Sequence, residues 1–139
     1  VKARAVEGLD PAAPLRPNAA RIVQTRLDEL RSLAERALAP DAAEAQHDAR
    51  IAAKRLRYVL EIVGPCLGEA AEPARRAAKE IQTVLGDLHD CDTILPKVEH
   101  VASLAAALRT RRARLHREFV ALWQLQASRG TWAALERAL

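Results

Sequence analysis

From Asn18 to about Leu38, the apolar residues Val23, Leu27, Leu30, Ala34 and Leu38 recur every three or four positions, the period of one helix face. Ala39-Pro40-Asp41 breaks the pattern, and a second periodic stretch runs from about Ala42 to Val63 before Gly64-Pro65 stops it. So short a connection makes these two helices antiparallel neighbours. A third helix is expected to begin at Glu69 to Pro73, where acidic residues and a proline suit a first turn. It continues through Ile81, Leu85 and Leu88 toward Pro96, with Gly86 as a weak point. The fourth, from about Val98 to Ala127, reads as the longest. Ser128-Arg129-Gly130 separates it from a short terminal helix holding Trp132 and Leu135. No stretch alternates as a strand would. The predicted fold is all-α: an antiparallel bundle of four long helices plus a short C-terminal helix, occupying residues 18–139. Ahead of it, Pro11, Pro14 and Pro17 argue against helix and predict an extended arm over residues 1–17.

Composition narrows the class. A chain of 139 residues allows one domain. Half the residues are hydrophobic but only 3% are aromatic, so Ala and Leu carry the apolar surface, which excludes a β-rich fold and intrinsic disorder alike. The purely apolar runs, such as Leu104 to Leu108, are far shorter than the roughly 18 residues of a membrane span. Val1 to Glu7 lacks the apolar core of a secretory signal, and a soluble, cytoplasmic protein is expected. Cys66 and Cys91 lack metal-ligand spacing and read as reduced packing residues; no cofactor is expected. The 22 Lys plus Arg against 18 Asp plus Glu leave a net charge of +4, so an anionic partner comes into question.

The second helix carries the most informative pattern. On a helical wheel Ala52, Leu56, Val59, Ile62 and Val63 fall on one side, predicted to be core. His47, Arg50, Lys54, Arg57 and Tyr58 fall within roughly a 100° arc opposite, forming a cationic rail. A solvated helix face ordinarily pairs Glu with Lys at i and i+4, yet no acid lies three or four residues from Arg50 or Lys54. The local interaction is repulsive. Either carboxylates from another helix or the solvent compensate it, or an anionic ligand does so through charge-assisted hydrogen bonds.

On the third helix Arg75, Lys79, Gln82 and Gly86 align along one edge beside an apolar arc, so two antiparallel basic edges can border one groove. From Val101 onward seven Arg face only Glu118 and Glu136, and most of these arginines point in different directions. Arg112 is the exception, set among Leu108, Leu115 and Phe119, which makes it a secondary ligand candidate. Leu85 to Asp92 gathers three carboxylates and His89. A role in which Asp90 or Asp92 orients arginines of the second helix is preferred there to metal binding. His47 reads as a metal ligand, a core histidine or a phosphate-facing donor, and its cationic companions favour the last.

The string from His47 to Glu61, His-Asp-Ala-Arg-Ile-Ala-Ala-Lys-Arg-Leu-Arg-Tyr-Val-Leu-Glu, followed by Gln82 and Leu85-Gly-Asp-Leu-His-Asp-Cys-Asp92, resembles the CHAD family, the conserved histidine α-helical domain. The resemblance is clear over Ala45 to Val98. It implies an all-helical bundle that binds inorganic polyphosphate on a basic surface, with His47, Arg50, Lys54 and Arg57 matching one family helix and Lys79 with the Leu-Gly-x-x-x-Asp segment matching its partner. Family members resemble two related bundles in one longer chain, whereas this sequence has one copy of the motif, similar to the second half. A short form working alone, a homodimer that rebuilds the pair, and a piece of a longer protein all fit that difference.

The leading expectation is non-enzymatic binding of inorganic polyphosphate in a basic groove between the second and third helices. His47, Arg50, Lys54, Arg57, Arg75, Lys79 and Gln82 line it, with Arg112 as an outlying contact. Nucleic-acid-backbone binding is the alternative, weakened by the scarcity of stacking aromatics. A metal-dependent phosphohydrolase or phosphotransferase using His89, Asp90 and Asp92 ranks last, because no Gly-rich phosphate loop or activated nucleophile is evident.

Overall fold

The computed structural model describes residues 1–139. Its helices are α1 (Leu15–Ala37), α2 (Ala43–Val63), α3 (Ala71–Val98), α4 (Ala102–Arg129) and α5 (Thr131–Arg137), with a 3₁₀ turn over Gly64–Cys66. This is the predicted all-α bundle of four long helices and a short fifth. α3 and α4 are equally long at 28 residues each, because α3 passes through Pro96 before ending. So close to the helix end, that proline removes a single ladder hydrogen bond.

α1 begins three residues ahead of the expected Asn18. Pro17 falls in its first turn, where backbone N–H groups have no intrahelical acceptor and a proline is tolerated. The preceding segment is non-helical but tied down. Asn18 accepts from Asp10 N–H at 3.0 Å and donates to Asp10 O at 2.7 Å, while Arg4 N–H reaches Glu29 and Arg55 reaches Val1 O. Glu29, buried in α1, accepts from Arg26 at 2.8 Å and from Arg55 of α2 at 3.1 Å.

Successive helices pack antiparallel. Residues near the end of α1 meet the start of α2, through Gln46 to Ala39 O at 2.8 Å, and the end of α2 meets the start of α3, where a Cβ on Gly64 would lie 3.4 Å from Ala71 Cβ. α4 then reaches back to α1 through Trp123 Nε1 to Glu35 at 3.2 Å. Gly130, at φ +70, supplies the left-handed residue that ends α4 and starts α5. Phe119, Trp123 and Trp132 are buried, and both cysteines are free thiols. No helix is long and apolar enough to cross a membrane.

One core expectation fails. Ile62 is 79% exposed, whereas Leu60 is buried. α2 is covered by α1 on one flank and α3 on the other, so its buried arc is broad and runs through Gln46, Ala49, Ala52, Ala53, Leu56, Leu60 and Val63. That arc is rotated from the one a single-sided wheel selects, and Ile62 turns outward.

Candidate functional site

The α2 rail lies along the seam with α3. Arg57 Nε donates to Gln82 Oε1 at 2.8 Å, the Arg50 stem passes Gly86, and the His47 and His89 rings stack with centroids 4.3 Å apart. A Cβ added at Gly86 would stand 3.7 Å from Arg50 Cδ, so the glycine leaves the guanidinium stem room against α3. Lys79 sits between Arg75 and Gln82 on the α3 edge, and both of those neighbours touch α2. An open cavity of about 340 Å³ lies where Arg50 meets Gln82, Thr83, Asp87, His89 and Asp90. The structure thus brings His47, Arg50, Arg57, Arg75 and Gln82 onto one seam, with Lys54 and Lys79 at intermediate positions of the same two edges.

Electrostatically the seam is divided. Arg57 pairs with Glu61 at 2.6 Å; Arg75 donates twice to Glu72, at 2.7 and 2.8 Å, and lies 3.9 Å from Glu61. These hydrogen bonds from Arg75 hold the Glu72 carboxyl below its usual range, and the Arg75 guanidinium is held above its own. Every ion pair on the seam belongs to Arg57, Arg75 or the adjacent Arg76; Arg50, Lys54 and Lys79 form none. Sequence reasoning missed these partners, although Arg57 and Glu61 stand at i and i+4 and Glu72 and Arg75 at i and i+3.

At the other end, two polar atoms are buried without a protein partner: His47 Nδ1 and Arg50 Nε. An unpaired buried donor costs roughly 1–3 kcal/mol, and more when charged, so each such group calls for a reason. His47 is pushed below its ordinary value of 6.5, first by burial and then by His89 and Arg50. Both causes favour the neutral form of the ring. An anion brought to Arg50 would offset the charge repulsion on this ring and raise its proton affinity.

Arg112 lies off the seam. Its Nε and Nη2 engage the Asp92 carboxylate, Nη2 also donates to Gln46 Oε1 at 2.6 Å, and Nη1 donates to Pro40 O at 2.8 Å. The side chain joins α3, α4 and the α1–α2 loop, so its charge is already met by the protein's own acid. Asp92 accordingly orients an arginine of α4, and the expectation of an arginine from the second helix is corrected. No group of three His, Cys, Asp or Glu side chains stands close enough to hold a metal ion.

The CHAD domain family model matches residues 2–99. The chain belongs to the CHAD domain family. The match takes in α1, α2 and α3 essentially whole, so every residue of the seam is CHAD sequence, whereas Arg112 and the rest of α4 and α5 follow it. No curated protein and no solved structure matches the chain.

Proposed function

We propose that this CHAD domain binds inorganic polyphosphate along the α2–α3 seam, without making or breaking a bond to phosphorus. The observation that carries the reading is that Arg50, Lys54 and Lys79 form no ion pair along the seam, together with the two orphaned nitrogens of His47 and Arg50 at its histidine end. Arg50, Lys54 and Lys79 supply charge; Arg50 adds a directional guanidinium donor suited to phosphate oxygens. Arg57 and Gln82 brace one another beside them. Membership of the CHAD family supports the same ligand class.

Titration with polyphosphate at several salt concentrations tests this. Three phosphate contacts at about 0.7 each, using the single-stranded nucleic-acid value as a guide, give a slope of log K on log salt near about −2. Binding that is insensitive to salt, or that is unchanged in Arg50→Glu and Lys54→Glu, refutes the assignment. A second reading draws on Tyr58, which is 48% exposed on the rail with the Arg57 guanidinium 4.3 Å from its ring centre. A single-stranded nucleic acid would use that ring as a stacking surface. Competition by an oligonucleotide that Tyr58→Ala abolishes would favour it over polyphosphate.

A further inference from the structure

The stretch of uncompensated charge is short, and acids stand at both ends. Toward Gly64, Glu61 and Glu72 hold Arg57 and Arg75 and share with Arg75 a cavity of about 440 Å³ where α2 leads into α3. Toward the histidine stack, Asp87 and Asp90 line the cavity that Arg50 enters, and neither forms an ion pair with it. Lys54 and Lys79 lie between these pairs of carboxylates, and Arg50 stands at the Asp87 and Asp90 end, in their cavity. Arg50 and Lys54 are one helical turn apart, about 6 Å along the axis, whereas the rail from His47 to Glu61 spans about 21 Å.

A phosphate chain laid along the whole rail would place its oxygens beside all four carboxylates. At the Glu61 end the two carboxylates are matched by Arg57 and Arg75, which leaves a phosphate chain little net attraction there, and at the other end Asp87 and Asp90 outnumber Arg50 and repel it. Neutralising Glu61 and Glu72 would release two guanidinium groups onto the same line. The carboxylates therefore act on length: they confine the ligand to the window between them.

Resting on the polyphosphate reading, we propose that the seam recognises a short linear oligophosphate, delimited by Glu61 and Glu72 at one end and by Asp87 and Asp90 at the other. A long polymer engages the window with a few of its units and continues into solvent, where it meets further copies of the protein.

Calorimetric titration with tripolyphosphate and with a long-chain polyphosphate, compared per binding site, tests this in wild type and in the Glu61→Gln/Glu72→Gln variant. Both positions are solvent-facing, so the variant keeps the fold. The two ligands are expected to bind wild type within about tenfold of each other per site, with protein bound per chain rising with chain length. The variant is expected to gain at least about fivefold for the long chain and less than about twofold for tripolyphosphate. A Glu99→Gln/Glu118→Gln variant, with the same charge change away from the seam, is expected to leave both ligands within about twofold. A per-site advantage of the long chain beyond about tenfold overturns the proposal, as does an acid-to-amide gain that is smaller or equal for both ligands. Failure of both ligands to bind wild type removes the polyphosphate reading itself, a result distinct from any of these.

Discussion

Arg50 and Arg57 occupy the same helix, the same rail and the same seam, seven residues apart, yet the protein treats them differently. Arg57 has Glu61 one turn along its own helix and Gln82 across the seam, so its charge and its donors are both engaged. Arg50 has neither: no acid pairs with it, and its Nε is buried without an acceptor. The lesson is that a count of basic residues on a face does not define an anion site. What defines it is the subset of cations the fold leaves without internal partners, since these gain most from an arriving anion.

Arg112 supplies the outer limit of that comparison, as an arginine wholly committed to structure. Its truncation to Ala leaves the Asp92 carboxylate and Gln46 Oε1 without their arginine donor between three elements. Loss of about 2–4 kcal/mol in denaturant unfolding is expected, with polyphosphate affinity within about twofold of wild type. A stable Arg112→Ala protein that binds poorly would reverse the assignment.

Charge reversal at the open end comes next in size. Arg50→Glu combined with Lys54→Glu is expected to lower polyphosphate affinity by about 100-fold or more in calorimetry. The matching Arg57→Ala/Arg75→Ala variant is expected to lose less than about fivefold, because those side chains begin engaged with Glu61 and Glu72. Equal losses at the two ends would erase the distinction.

The smaller effects concern protons. His47 in the folded protein sits below its ordinary value of 6.5, so the unfolded chain binds more protons as pH falls through that value. Stability contributed by this residue is thus present above pH 6.5 and lost on acidification toward the lowered folded value. Charged polyphosphate acts in the opposite direction, and its affinity is expected to rise as pH falls from about 7.5 to about 6, with proton uptake on binding. Comparing calorimetry in buffers of different ionisation heat for wild type and His47→Asn checks this; equal proton uptake in both would detach His47 from the site.

Much of this architecture is legible along the chain because it depends on local period. The extent of α2, the break at Gly64-Pro65 and the burial of Phe119, Trp123 and Trp132 all follow from spacing and residue type. The rail is equally visible, since four cationic or imidazole side chains at helical steps must share an edge. What is hidden is whatever depends on how helices meet. Ile62 faces solvent because α2 is flanked on two sides, and Arg112 meets Asp92 from 20 positions away. The stacking of His47 on His89 likewise requires the antiparallel register of α2 and α3. The Glu61 and Glu72 partners were within local reach; their importance emerges once the seam shows which cations lack such partners.

Arginine Nε–Hε resonances offer the most direct test, because they report each guanidinium separately. On titration with polyphosphate, the Arg50 signal is expected to shift first and furthest, accompanied by a rise in the proton affinity of His47, while Arg112 stays still and Arg57 and Arg75 move little. Shifts concentrated at Arg57 and Arg75, or on the arginines of α4, with Arg50 unmoved, would contradict the account.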